Sequence, residues 1–309
     1  MLSRALAPVV PLSFGAPGYA LAARNFTPLP SDAMSGRVAL ITGANGGLGF
    51  AAALAMAREG GQVTLACRSK ERGEQARAKL AAAVPGATPT LVLLDVADPD
   101  SIGSMAERWG ERPLDVLVHN AAVLPKVYER TPGGEERTLA TNLLGPYRLT
   151  RALRTALERS NDARIVLVSS GGMFTQRLDL GHLDPDPAAP FDGAVAYART
   201  KRALVTLGEL WSERFVEPRI RVHAMHPGWA DTPGVRTSLP RFHRLTRGIL
   251  RSAEQGADTI AWLAAASADQ LGSGGFWFDR RRVSATPLPG TADPQDQREG
   301  LVEWLEQRT

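Results

Sequence analysis

The sequence predicts an α/β fold, a doubly wound seven-stranded parallel sheet in a single domain with helices on both faces, and three observations predict it. Short apolar runs of strand length alternate with longer helical patterns along nearly the whole chain. The runs are near-continuously apolar rather than alternating in polarity, as strands buried on both faces must be. No repeat, low-complexity tract or linker divides the 309 residues, a length at which doubly wound enzymes are often one domain.

Strands are predicted near 37–42, 62–67, 90–95, 114–119, 164–170, 219–225 and 275–278, with helices near 47–59, 70–83, 99–108, 135–159, 195–215 and 253–266. The first unit is the most specific. Arg37 to Thr42 is a buried-type run, Gly43-Ala44-Asn45-Gly46-Gly47-Leu48-Gly49 is a glycine turn, and Phe50 to Arg58 is an Ala-rich helical pattern. Glycines at such a turn let the backbone approach a pyrophosphate seated at the positive end of the helix dipole. A glycine-rich turn with no ligand is the plainer alternative. Thr90 to Leu94 ends at Asp95, and Leu114 to Val118 leads into His119-Asn120-Ala121-Ala122.

Far downstream, Tyr197-Ala198-Arg199-Thr200-Lys201 follows a Gly/Pro/Asp-rich loop and places a phenol and an ammonium at i,i+4, on one helix face. Lowering a phenol pKa by roughly three units takes about 4 kcal/mol. A cation about 4 Å away at a partly buried site supplies that, so the pair is a workable general acid/base unit. The chain is Arg-dominated, its only lysines being Lys70, Lys79, Lys126 and Lys201. Lys201 thus stands out as a compact ammonium that couples to neighbouring pKa values.

Thr42-Gly43-x-x-x-Gly47-x-Gly49 together with Tyr197-x-x-x-Lys201 resembles the short-chain dehydrogenase/reductase family, a Rossmann-fold family. Ser169 to Met173, Pro190 to Gly193, Met225 to Val235 and Ser252 to Thr259 are similar to its retinol-dehydrogenase-like branch and, within that, to the dehydrogenase/reductase member 12 group. The similarity runs from Gly18 to the C-terminal helix. It implies Asn142, Ser170, Tyr197 and Lys201 as catalytic residues. For the cofactor it implies Gly43, Asn45, Gly46, Gly47, Leu48, Gly49, Asp95, Val96, Asn120 and Ala121, then Tyr197 and Lys201 again, and Pro227, Gly228 and Thr232 in the loop that closes over the nicotinamide. In the implied reaction, hydride passes between nicotinamide and a carbonyl/alcohol pair. Ser170 hydrogen-bonds the substrate oxygen, Tyr197 moves the proton, Lys201 lowers its pKa and holds the nicotinamide ribose, and Asn142 anchors a water. His119 and Ala122 depart from the family's Asn and Gly, so Ala122 is expected to put a methyl group near the cofactor turn. Tyr197 comes 27 positions after Ser170, farther than in many relatives, and the added Gln176 to Phe191 reads as a surface loop at the rim of the substrate pocket.

Cofactor choice follows from the second strand, which ends Ala66-Cys67-Arg68-Ser69-Lys70 without the carboxylate that NAD enzymes offer to the ribose. Arg68 can fork onto a 2′-phosphate, so NADP(H) is expected as the preferred cofactor, with NAD(H) the lesser one and a solvated surface Arg the plain alternative. After the nicotinamide-side loop, Pro240 permits a helix start, and Phe242, Leu245 and Ile249 recur at helical spacing among Arg241, Arg244, Arg247 and Arg251. Thr232 to Ser252 is therefore expected to cover the pocket and meet an apolar substrate. An anionic membrane surface and an ordinary packed helix are the alternatives.

A net charge of +4 with no recognisable nucleic-acid motif argues against that partner class. The acidic Asp179, Asp184, Asp186 and Asp192 lack matching His or Cys, so no metal is expected. A small-molecule substrate and a homo-oligomer fit the reading. The lone Cys67 suits a reducing compartment and a buried thiol. No run of 18 apolar residues exists to span a membrane. Residues 1–33 form an N-terminal extension ahead of the 34–309 domain. Arg4 and Ala20-Leu21-Ala22 hint at a secretory leader, but Pro8, Pro11, Gly15 and Pro17 break any apolar core, so a retained arm and a cytoplasmic enzyme are expected. A catalytically silent nucleotide-binding module and a peripheral membrane protein are the rival functions.

Overall fold

The computed structural model describes residues 13–215 and 220–309. Positions 1–12 of the N-terminal extension and the expected strand start at 219 lie outside the described residues. One twisted sheet organises them, with strand order β3-β2-β1-β4-β5-β6-β7-β8. The strands are β1 Val38–Thr42, β2 Gln62–Cys67, β3 Thr90–Leu93, β4 Val116–His119, β5 Ala163–Val168, β6 Ile220–Met225, β7 Phe276–Phe278 and β8 Arg281–Val283. β1 to β7 pair in parallel, Leu40 opposite Thr64 on one side and Leu117 on the other. Successive residues of a strand point to opposite faces. Ile41 joins one buried cluster with Val118 and Val166, while Leu40 joins the other with Leu117 and Ile165. Both faces are covered by helices, which is why the runs read as continuously apolar.

The expected seven-stranded sheet is thus corrected to eight strands, because β8 returns antiparallel to β7. Its two-residue turn, Asp279-Arg280, has φ of 49° and 57°, the left-handed geometry that Asn-Gly normally supplies. Non-glycine residues tolerate it here because both side chains are held. Asp279 forks onto Arg251 at 2.5 and 2.9 Å, and Arg280 onto Asp258 at 2.8 and 2.6 Å.

The expected 135–159 helix is broken into Arg137–Leu139, a π-turn at Ala140–Leu144, Gly145–Ala152 and Arg154–Glu158. The helix expected to start at Pro240 spans Pro240–Thr246, and a further one, Pro233–Ser238, precedes it across Leu239. Leu245, expected on the lid's apolar face, is 83% exposed. The Gln176 to Phe191 segment is anchored more firmly than a surface loop. Leu178 and Leu183 are buried, and the backbone N–H groups of Leu178 and Leu180 donate to Asp293 and Gln297 beside the C-terminal helix Gln295–Glu306.

Candidate active site

The order 3-2-1-4 reverses direction between β1 and β4, the switch point at whose carboxyl strand ends sheets of this kind bind ligands in a cleft. Thr42 closes the floor. Its Oγ1 donates to Val118 O at 3.2 Å and accepts from Asn120 N and Ala121 N at 3.0 Å each. Asn120 Nδ2 donates to Thr42 O at 2.8 Å, which ties the turn after β4 to the glycine turn. Gly43 and Gly47 have φ of 67° and 54°, left-handed geometry that Gly adopts without strain. A Cβ at Gly49 would fall 2.5 Å from Asn120 Nδ2 and 2.6 Å from Gly43 O, so only glycine fits. Above Gly46 there is open space, and no side chain caps the Gly47–Arg58 helix. Uncapped N–H groups under an open approach fit a pyrophosphate.

The remaining cofactor-side residues border the same cleft. Asn45, Gly46, Gly47 and Leu48 are half-buried on the glycine turn. Asp95 follows β3 and accepts from Ala97 N at 3.0 Å, while the Val96 carbonyl packs against Gly145, where a Cβ would collide. Arg68 is 58% exposed and lies 3.7 Å from Asp95, a loose pair that leaves its guanidinium available. Thr232 and Pro233 reach the glycine turn, their atoms 3.6–3.7 Å from where a Gly47 Cβ would stand. Pro227 is buried and Gly228 half-buried in the loop before them. The methyl group near the turn belongs to Ala121, 3.2 Å from a Gly43 Cβ, and not to Ala122, which is exposed.

Across the cleft, Asp192 caps the Gly193–Arg214 helix by accepting from Ala194 N and Val195 N. That helix carries Tyr197 and Lys201. Gly193 at its first position presses on the Pro125 carbonyl, where a side chain would collide. Ser170 ends the segment after β5, its Oγ accepting from Gly172 N at 3.3 Å. Burial pushes the Tyr197 phenol's pKa up, and neighbouring Ser170 offsets part of that rise. Lys201 is 2% exposed, and burial lowers its pKa to about 7. Its Nζ donates to Val168 O at 2.7 Å and lies 5.7 Å from the Tyr197 ring centroid. Lys201 does not figure among the influences on the phenol, whose net shift is upward. The Lys201 ammonium is itself destabilised by burial and its Nζ turns toward the Val168 carbonyl.

Asn142 sits in the π-turn, a feature frequent at functional sites. Its side chain accepts from Val123 N at 2.9 Å and donates to Val123 O at 3.1 Å and Thr200 Oγ1 at 3.2 Å. It thereby fastens the loop after β4 to the Tyr197 helix. Thr200 escaped the sequence reading because its role needs this long-range partner. His119 is explained as a buried neutral imidazole, 2.8 Å from Thr150 Oγ1, its pKa pushed to about 3 by burial and then by Lys201.

A family model described as short chain dehydrogenase matches residues 37–181. Human dehydrogenase/reductase SDR family member 12 is 41% identical over 294 residues, covering 94% of this chain and 92% of that protein. The chain belongs to the short-chain dehydrogenase/reductase family. Bovine retinol dehydrogenase 12 is 32% identical over 256 residues, 82% of this chain and 80% of its own length. A solved structure from Beutenbergia cavernae, described as an NAD(P)-dependent gluconate 5-dehydrogenase with bound NADP, superposes with a TM-score of 0.64 at 25% identity, covering 80% of this chain and 96% of that one. As a short-chain dehydrogenase/reductase the protein is an NAD(P)-dependent oxidoreductase. Among the described residues no helix is long and apolar enough to cross a membrane, and no cluster of three potential metal ligands is found.

In this short-chain dehydrogenase/reductase, buried Lys201 makes stability depend on pH. Between its folded value of about 7 and the ordinary 10.5, the unfolded chain holds a proton that the folded one releases, so the stability contributed by this site rises with pH. Chemical denaturation of wild type and Lys201→Met checks it. The wild type is expected to gain on the variant by up to about 3 kcal/mol between pH 7 and 9.5, and a constant difference contradicts it.

Proposed function

We propose that the protein is an NADP(H)-preferring oxidoreductase acting on a lipophilic carbonyl/alcohol pair, with Asn142, Ser170, Tyr197 and Lys201 as its catalytic set, working from the cytoplasmic cofactor pool. The observation that carries the reading is that the loop after β4 is tied at one end to the glycine turn through Asn120 and at the other to the Tyr197 helix through Asn142. Bound there, the cofactor supplies or accepts the hydride. Ser170 then hydrogen-bonds the substrate oxygen and stabilises charge developing on it. The Tyr197 hydroxyl delivers its proton to that oxygen during reduction and takes it back during oxidation. Lys201 would hold the nicotinamide ribose and would bring positive charge near the phenol, aiding the proton's departure. Asn142 keeps the Tyr197 helix and the loop after β4 in register. The family relationship to retinol dehydrogenase 12, a protein named for a lipophilic alcohol, and the half-buried Trp229 and Phe242 of the lid, with ring centroids 5.0 Å apart, support an apolar substrate.

Arg68 supports the NADP(H) preference, because its guanidinium is 58% exposed at the end of β2 with only the long Asp95 contact. Arg68→Asp places a carboxylate where the 2′-phosphate would lie. The NADPH dissociation constant, read by fluorescence titration, is expected to rise roughly 10- to 150-fold as a charged hydrogen bond of about 1.5–3 kcal/mol is lost, with NADH affected far less. An unchanged NADPH/NADH ratio removes Arg68 as the selector.

A further inference from the structure

The N-terminal arm packs on the loop that follows β6. Phe14 O accepts from Trp229 N at 2.8 Å and from Arg251 Nε at 2.8 Å, and Ala16 N donates to Ile249 O at 2.7 Å. Ser13 O and Gly15 O accept from the same guanidinium at 3.1 and 3.2 Å. Arg251 is 1% exposed and is itself fixed by Asp279. The arm therefore bonds to both ends of the lid, Trp229 where it begins and Ile249 to Arg251 where it returns to the sheet.

The Phe14 side chain points to the residues beside the reacting groups. Its Cε2 stands 3.0 Å from where a Cβ of Gly171 would be, and Gly171 directly follows Ser170. Its carbonyl stands 2.6 Å from where a Cβ of Gly228 would be, so both glycines leave room for the arm. The ring packs edge-on against His226 at 4.8 Å and Trp229 at 6.1 Å, and stacks near Phe174 at 6.2 Å. Trp229 carries the surface on to Phe242. A continuous aromatic face thus runs from the residue after Ser170 to the lid, and Phe14, still half-buried rather than fully enclosed, is its centre.

We propose that Phe14, delivered by the N-terminal arm, is a specificity-determining residue of the substrate site, where it forms the aromatic wall against which the ring system of an aryl ketone lies. The proposal rests on the oxidoreductase reading for the identity of the pocket and adds the substrate class. Flat rings match this wall because offset and edge-on aromatic contacts contribute beyond their buried area. The arm holds Phe14 in place, since its carbonyls are bound to Arg251 and cannot retreat without releasing it.

Calorimetric binding of acetophenone, acetonaphthone and acetylanthracene, with NADP+ present and absent, tests it without turnover, because the oxidised cofactor has no hydride to give. NADP+ binding is titrated first. Phe14→Ala is expected to shift the ratio of the three-ring to the one-ring dissociation constant about tenfold toward the smaller ketone, since three rings lose more of the wall than one, and Phe14→Trp to shift it the other way. Phe14→Leu keeps apolar packing and is expected to lie between wild type and Phe14→Ala, so the series remains readable if the alanine variant unfolds. An unaltered ratio in the folded variants, or no ketone binding to wild type in either state, overturns the proposal. Failure of NADP+ to bind, or ketone binding without NADPH oxidation in a parallel assay, strikes the oxidoreductase reading instead and leaves the ratio to judge Phe14.

Discussion

Tyr197→Phe is expected to lower kcat by about 10²- to 10⁴-fold, the contribution of a positioned proton donor, and to leave the NADPH dissociation constant within a few-fold. The ring keeps its place on the Gly193–Arg214 helix and its contact with Lys201; only the phenolic hydroxyl is lost. The loss falls on kcat and kcat/KM alike, because the proton moves only in the transition state. Steady-state kinetics with any ketone the wild type reduces checks this, and activity near wild type would show that another group carries the proton.

Asp293→Ala is expected to destabilise the fold by about 3–5 kcal/mol, the cost of stranding a buried cation. Asp293 and Arg202 are 2% and 3% exposed and meet at 2.7 Å. The carboxylate also accepts from Leu178 N at 2.7 Å and Thr206 Oγ1 at 2.6 Å. One side chain therefore joins the chain after Ser170, the Tyr197 helix and the segment leading into the C-terminal helix. Without it, Arg202 keeps only the Ala285 carbonyl and the Met173 sulfur. Denaturant titration measures the change, and pairing Asp293→Leu with Arg202→Met should restore much of it by removing the stranded charge. A loss under about 1 kcal/mol would mean that water or a rearranged partner satisfies Arg202.

The parallel strands and the glycine turn were legible because their signals are local. An apolar run such as Val38–Thr42 followed by glycines and a helical pattern leaves few alternatives. β8 was not legible, since Asp279-Arg280 carries no Asn-Gly signal, and its left-handed turn is held by Arg251 and Asp258 from elsewhere in the chain. The π-turn at Ala140–Leu144 hid inside a continuous helical period. Asn142, Ser170, Tyr197 and Lys201 were visible as a motif, but their geometry was not. A lysine at i+4 predicts a shared face, and only packing decides that Nζ turns to Val168 O. Phe14 and Asp293 gave no signal at all, because each matters through partners brought together by the fold.

Transfer of deuterium from NADPH labelled at nicotinamide C4 to the product alcohol tests the central claim most directly. With wild type and a lipophilic ketone, mass spectrometry is expected to find the label on the carbinol carbon, and Tyr197→Phe to slow its arrival without changing its position. Product that carries no label, or an equal rate in the variant, would contradict an oxidoreductase in which the nicotinamide gives the hydride and Tyr197 the proton.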